Sequence, residues 1–105
     1  MQTMTSEMTF DRALHALEAL REEFGYYLWF SSDVEVYEES GRILRSLSEE
    51  KRPPTEQELR VLIDLFNSFA HAGASPSRAF DIAEDARDAL DYLHREAGLE
   101  PPSRR

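Results

Sequence analysis

The chain has 105 residues, enough for one domain with a modest core and no need of staples. Its 21 acidic and 12 basic side chains leave a formal net charge of −9, which opposes direct contact with nucleic acid or an anionic membrane and favours a basic partner surface. There is no cysteine, so disulfides, thiolate metal sites and cysteine nucleophiles are excluded, and the composition fits a reducing cytoplasm.

No charged-then-apolar leader precedes the first helical pattern, and no apolar run approaches the roughly 18 residues of a membrane span, so a soluble, cytoplasmic protein is expected. Eleven acids precede Pro53 and ten follow it, so the negative charge is spread over the domain, with no acidic tail. Eleven of the twelve basic residues are arginine, a bias that suits a GC-rich, prokaryotic or phage source.

Residues 1–8 show no periodicity and are expected to form a flexible N-terminus. Behind Thr9, a residue suited to an N-cap, Phe10, Leu14, Leu17, Leu20 and Phe24 recur at helical spacing with Ala13 and Ala16 on the flank, which predicts an amphipathic helix. The stretch GYYLWFSSDVEVYEES, Gly25 to Ser40, has two readings. In one, Gly25 ends the helix as a C′ residue and Tyr26–Phe30 pairs with Val34–Tyr37 as a short hairpin. In the other, the helix runs on through Gly25 to use Tyr27 and Leu28, and Ser32 with Glu35 makes a capping box that opens a second helix. An isolated two-stranded hairpin is marginal and no third strand is visible, so two helices are the expectation.

The second helix would turn Val36, Tyr37, Ile43, Leu44 and Leu47 inward, cross a weak point at Ser40-Gly41, and stop at Pro53-Pro54. Thr55 and Glu58 form another capping box, and Leu59, Leu62, Ile63, Phe66 and Ala70 then give the core face of a third helix. Val61, Leu65 and Phe69 lie on a second side, so this helix is either buried around much of its circumference or keeps a face for a partner. Gly73 is expected at C′, and Ser75-Pro76 is a well-motivated start for a fourth helix. In that helix Ala79, Ala83, Ala86, Leu90, Leu93 and Ala97 make a narrow seam, widened by Phe80, Ile82 and Tyr92, and Gly98 closes it. Residues 99–105 read as a flexible tail. Residues 9–98 are thus expected to form a single all-α domain, a compact antiparallel four-helix bundle with a short hairpin or break around residues 25–37 as the open point.

Three features could carry function. Asp81, Glu84, Asp85, Asp88 and Asp91 form one stripe about 15 Å long at 1.5 Å rise per residue. Like-charged neighbours at i, i+3 and i+4 disfavour the helix by a few tenths of a kcal/mol per pair, with only Arg78, Arg87 and Arg95 near enough in sequence to offset them. The row is either a solvated face or a surface that meets a basic groove as phosphates do. A shorter acidic patch, Glu35, Glu38 and Glu39 with Asp33, opens the second helix, where the helix dipole alone would favour acids. Phe24, Tyr26, Tyr27, Trp29 and Phe30 put five of eleven aromatics into seven residues, a cluster that either caps the core or serves a partner or a homodimer.

Catalytic and metal signatures are missing. Asp91-x-x-His94 resembles half of a di-iron carboxylate-histidine pair without a second one, and Asp11 with His15 at i, i+4 reads as a surface charge pair. Serine-nucleophile, phosphate-loop and H-E-x-x-H patterns do not occur. Tyr92-x-x-x-Glu96 matches the Y-x-x-x-[D/E] signal of small helical substrates of type VII secretion, but Trp29-Phe30-Ser31 lacks the glycine of their W-x-G, so that family is not assigned. The expectation is a non-enzymatic, cofactor-free domain that binds a basic protein surface, such as that of a nucleic-acid-binding protein. In its most specific form it is a prokaryotic or phage inhibitor or immunity-type protein acting by charge mimicry, similar to anti-CRISPR proteins in size, charge and helicity. The alternative is a self-associating adaptor that uses the aromatic cluster.

Overall fold

The computed structural model describes residues 8–25, 31–71 and 76–99, with backbone only at 31, 32, 71 and 76–80. Four helices account for nearly all of these: α1 (Phe10–Phe24), α2 (Ser31–Glu50), α3 (Glu56–His71) and α4 (Pro76–Glu96). No strand occurs among the described residues.

Thr9 opens α1 from an extended backbone, and its Oγ1 accepts the Arg12 amide at 3.2 Å, satisfying one of the free donors of the first turn. Ala13, Leu14, Leu17, Leu20 and Phe24 are buried as the periodicity requires. The helix stops at Phe24 and does not continue through Gly25, which caps it in the right-handed region (φ −57°), so the left-handed C′ role does not apply either. Gly25 packs instead against the Tyr37 ring, with ordinary van der Waals spacing to the place its Cβ would occupy.

The hairpin reading fails from Ser31 onward. Val34–Tyr37 is helical, and α2 already includes Ser32, so that residue is not its N-cap. Tyr26–Phe30 lies outside the described residues. Ser40-Gly41 is likewise no break: α2 is continuous through both, and both are buried. Its core contribution comes from Ile43, Leu44 and Leu47, while Val36 and Tyr37 are half-buried. After Glu50 the chain leaves the helix through Lys51 (φ 55°), whose amide still donates to Leu47 O, and the two prolines prevent its resumption.

Thr55 and Glu58 form the reciprocal box that the sequence implies. The Glu58 amide donates to Thr55 Oγ1 at 3.1 Å, and the Thr55 amide donates to Glu58 Oε1 at 2.9 Å. The buried face of α3 is Leu59, Leu62, Leu65 and Phe69; Ile63, Phe66 and Val61 are half-buried against the core, and Ala70 is exposed. Of the expected Leu59, Leu62, Ile63, Phe66 and Ala70 face, Leu59 and Leu62 are buried and the core side is rotated away from the other three. With apolar residues on two sides, periodicity alone could not say which one the neighbours cover.

In α4, Ala86, Leu90 and Leu93 are buried as expected, together with Ala89, which the seam had left out. The helix ends in a Schellman motif: the Gly98 amide donates to Arg95 O, the Leu99 amide to His94 O, and Gly98 takes φ 76°. Met8 and Leu99, at the two edges of the helical region, pack against the core.

Consecutive helices pack side by side, and α4 returns against α1 along the longest of these contacts. The diagonal α1–α3 pair also touches, whereas α2 and α4 stand apart on the other diagonal. This is an antiparallel four-helix bundle with a radius of gyration of 13.4 Å. One buried cluster runs through all four helices, from Leu17 and Leu20 to Leu47, Leu62 and Leu93.

Candidate functional site

Burial of Ala86, Ala89, Leu90 and Leu93 fixes the rotation of α4 and thereby its outer face. Asp81, Glu84, Asp85 and Asp88 are exposed on that face, and Asp91 is half-buried at its edge. None of the four exposed carboxylates forms an ion pair among the described residues, whereas Asp91 does have an interaction partner. The ion pairs lie elsewhere: Glu18 with Arg21, Glu39 with Arg42, Asp11 with Lys51, Glu50 and Glu58 with Arg52, and Glu56 with Arg60. On α4 itself Arg87 and Arg95 are exposed, and neither forms an ion pair among the described residues.

The second acidic patch does not join the first. Glu35 and Glu38 are exposed on α2 and Glu39 is half-buried there, but α2 is the helix diagonal to α4, so their solvent faces point away from each other. Glu39 is also paired with Arg42. Along α2 the exposed positions Glu35, Glu38, Arg42, Arg45 and Glu49 mix both signs, whereas on α4 four acids come with only Arg87 as an exposed cation between Asp81 and Asp88. Of the aromatic candidates, Tyr26, Tyr27, Trp29 and Phe30 lie outside the described residues, and Phe24 is a buried core residue.

Asp85 has neighbours that the linear sequence concealed. It borders an open groove of about 560 Å³ between α4 and the start of α1, together with Met8, Asp11, Arg12, His15, Ala16 and Ala19. Asp11 contacts Lys51 Nζ at 3.8 Å and makes no ion pair with His15, which corrects the expected i, i+4 pairing. The acidic surface of α4 thus reaches Asp11 across the α1–α4 seam, a proximity that no spacing within either helix announces.

Two polar arrangements govern helix placement. Arg21, on the half-wet flank of α1, donates from Nε to Tyr37 O on α2 at 2.8 Å, stacks its guanidinium 3.9 Å from the Tyr37 ring centroid, and pairs with Glu18 at 3.2 Å. Ser40 Oγ donates to the same carbonyl at 2.8 Å. At the α2–α3 turn, Arg52 holds Glu58 through two nitrogens at 2.8 and 2.9 Å, reaches Glu50 Oε1 at 2.6 Å, and donates to Ser46 Oγ at 3.2 Å. The Arg52 hydrogen bond holds the Glu58 carboxyl below the usual carboxylate range, and that of Glu50 likewise.

His94 is buried and donates from Nδ1 to Leu90 O at 2.8 Å, so it completes the end of α4 and does not join Asp91 as a ligand pair. Among the described residues no group of three or more His, Asp or Glu side chains could hold a metal ion, and no helix is long and apolar enough to cross a membrane. Searches against protein-family models, curated proteins and solved structures find no match for this chain.

Proposed function

We propose that this is a non-enzymatic acidic domain that binds a basic protein surface through the outer face of α4, with Asp81, Glu84, Asp85 and Asp88 as the contact row and Asp91 at its margin. The observation that carries the reading is the density of acid on one face. Six acids of α1, α2 and α3 are matched with arginine or lysine, and the exposed acids there without an ion pair among the described residues, Glu22, Glu35, Glu38, Glu49 and Asp64, are scattered over three helices. On α4, four exposed carboxylates stand within eight residues and form no ion pair among the described residues. Such a row keeps its field available and leaves its own repulsion unrelieved, which a cationic partner would relieve. Carboxylates on one helical face can take the place of backbone phosphates against a groove built for nucleic acid. The finer form of the proposal is therefore a prokaryotic or phage inhibitor or immunity-type protein that occupies a nucleic-acid-binding surface. Glu35, Glu38 and Glu39 take no part in this contact, because α2 faces the other way.

The test is affinity capture from nuclease-treated prokaryotic lysate at low and high salt. Wild type is compared with a fourfold reversal to lysine at 81, 84, 85 and 88, and with an equal reversal at the exposed Glu22, Glu35, Glu38 and Glu49. The expected result is a basic partner released by salt and lost only with the α4 reversal. Equal loss in both variants would reduce the effect to net charge, and no loss in either would remove α4 from the contact.

A further inference from the structure

The two halves of α2 are held by different forces. Ile43, Leu44 and Leu47 anchor the second half in the core, whereas no side chain from Asp33 to Glu39 is buried. In that first half Val36 and Tyr37 are half-buried, and Val34 is 39% exposed, the one large hydrophobic side chain this open among the described residues. Among the described residues this half is tied to the bundle by the partial packing of Val36 and Tyr37 and by a polar clamp, in which Arg21 bonds Tyr37 O and covers the Tyr37 ring. Between the halves stand Ser40, whose hydroxyl bonds back to Tyr37 O, and Gly41, adjacent residues of the kind at which helices bend.

We propose that residues 31–40 form a unit that opens separately from the rest of the bundle, hinged at Ser40-Gly41 and held closed by the Arg21 clamp. Opening breaks the Arg21 to Tyr37 O bond, frees the Tyr37 ring, and uncovers the end of α1 at Gly25, against which that ring packs. The core from Ile43 onward is untouched, so this opening requires less free energy than unfolding of the domain.

Native-state hydrogen exchange at low denaturant on the full chain tests this. Amides 35–40 should share one protection level, below that of 43–49, with a step at the hinge and a weak denaturant dependence because little surface is exposed. Arg21→Gln, which retains the packed stem, should accelerate 35–40 about tenfold, the factor implied by a lost charge-assisted hydrogen bond, and leave 43–49 unmoved relative to global stability. Protection that grades smoothly from residue 35 to 49 would mean end-fraying and would overturn the proposal. So would a single level across both halves, or an equal response of both to the substitution. If Arg21→Gln does not fold, the wild-type denaturant series decides alone, by the presence or absence of the step.

Discussion

Arg21 occupies the space that a side chain at position 41 would need. A Cβ on Gly41 would come within 2.7 Å of Arg21 Nε and closer still to the end of the guanidinium, so glycine is what lets the arginine lie across α2. The pair should be strongly coupled. Arg21→Ala is expected to destabilise by about 2 kcal/mol, the charged hydrogen bond and the ring contact together. Gly41→Ala alone should be near neutral or destabilising, because up to about 1 kcal/mol of helix propensity is offset by displacement of the guanidinium. In the Arg21→Ala background the same substitution should become stabilising by about 0.5–1 kcal/mol. Denaturant unfolding of the four proteins measures the cycle, and additive effects would show that the two residues do not compete for this space.

This contact also marks where sequence reasoning stopped. Arg21 and Tyr37 are sixteen positions apart, and helical spacing assigns Arg21 to the flank of α1 without saying what crosses it. Read locally, Ser40-Gly41 is a pair of weak helix formers; only the neighbouring helix reveals the close approach. The caps were legible because their chemistry is local: Thr9, Thr55 with Glu58, and Gly98 act within a few residues of themselves. The α4 stripe was legible as a face because its opposite side is apolar, but that Asp81, Glu84, Asp85 and Asp88 form no ion pair among the described residues depends on side-chain placement, which spacing does not give. On α3, where two sides are apolar, the sequence could not choose Leu65 and Phe69 over Ile63 and Phe66.

The α2–α3 turn should set the acid limit of stability. Glu58 binds a proton less readily folded than unfolded, since Arg52 lowers its pKa. Its contribution is therefore complete above the unfolded value of about 4.3 and disappears as pH falls through the lower folded value. Stability should be flat near neutrality in this respect and decline below about pH 4. Arg52→Ala should shift the Glu58 carboxyl titration upward, toward the unfolded value, and flatten that decline. An NMR titration of Glu58 that is unchanged in Arg52→Ala would remove Arg52 as the cause.

The reciprocal bond at Thr55 should show only when its acceptor is removed. Thr9 accepts one amide hydrogen bond, whereas Thr55 accepts from Glu58 N and donates its own amide to the Glu58 carboxylate. Thr9→Ala and Thr55→Ala each remove one hydroxyl acceptor and are expected to destabilise by about 1 kcal/mol, with the Thr55 amide still bonded to Glu58. Glu58→Ala, which removes that bond and the Arg52 pair, should destabilise more. A shift in the urea midpoint no larger than that of Thr55→Ala would mean that the reciprocal bond adds nothing.

The α1–α4 seam depends on small residues. Ala13 on α1 and Ala86 and Ala89 on α4 have no exposed surface and belong to one packed cluster. Ala86→Leu or Ala89→Leu should destabilise by about 1–3 kcal/mol through overpacking, and Ala83→Leu, at a half-buried position, by less. Thermal unfolding of the three variants checks the order, and equal tolerance at 86, 89 and 83 would show a looser seam than the burial indicates.

The acidic row allows a prediction in which stability and binding move in opposite directions. Asp85 stands four residues after Asp81 and three before Asp88, so a lysine there would face a carboxylate one turn away on each side. Asp85→Lys is expected to stabilise the helix by about 0.5 kcal/mol, from repulsion removed and attraction gained. A contact surface for a basic partner would lose affinity at the same time, and the loss should shrink as salt rises. A purely solvated face would show the gain with no loss. Urea unfolding, paired with binding to the captured partner at two salt concentrations, separates these outcomes: a stabilised variant that binds as wild type would identify the row as solvent-facing surface, and a stabilised variant with weakened, salt-sensitive binding would identify it as the contact.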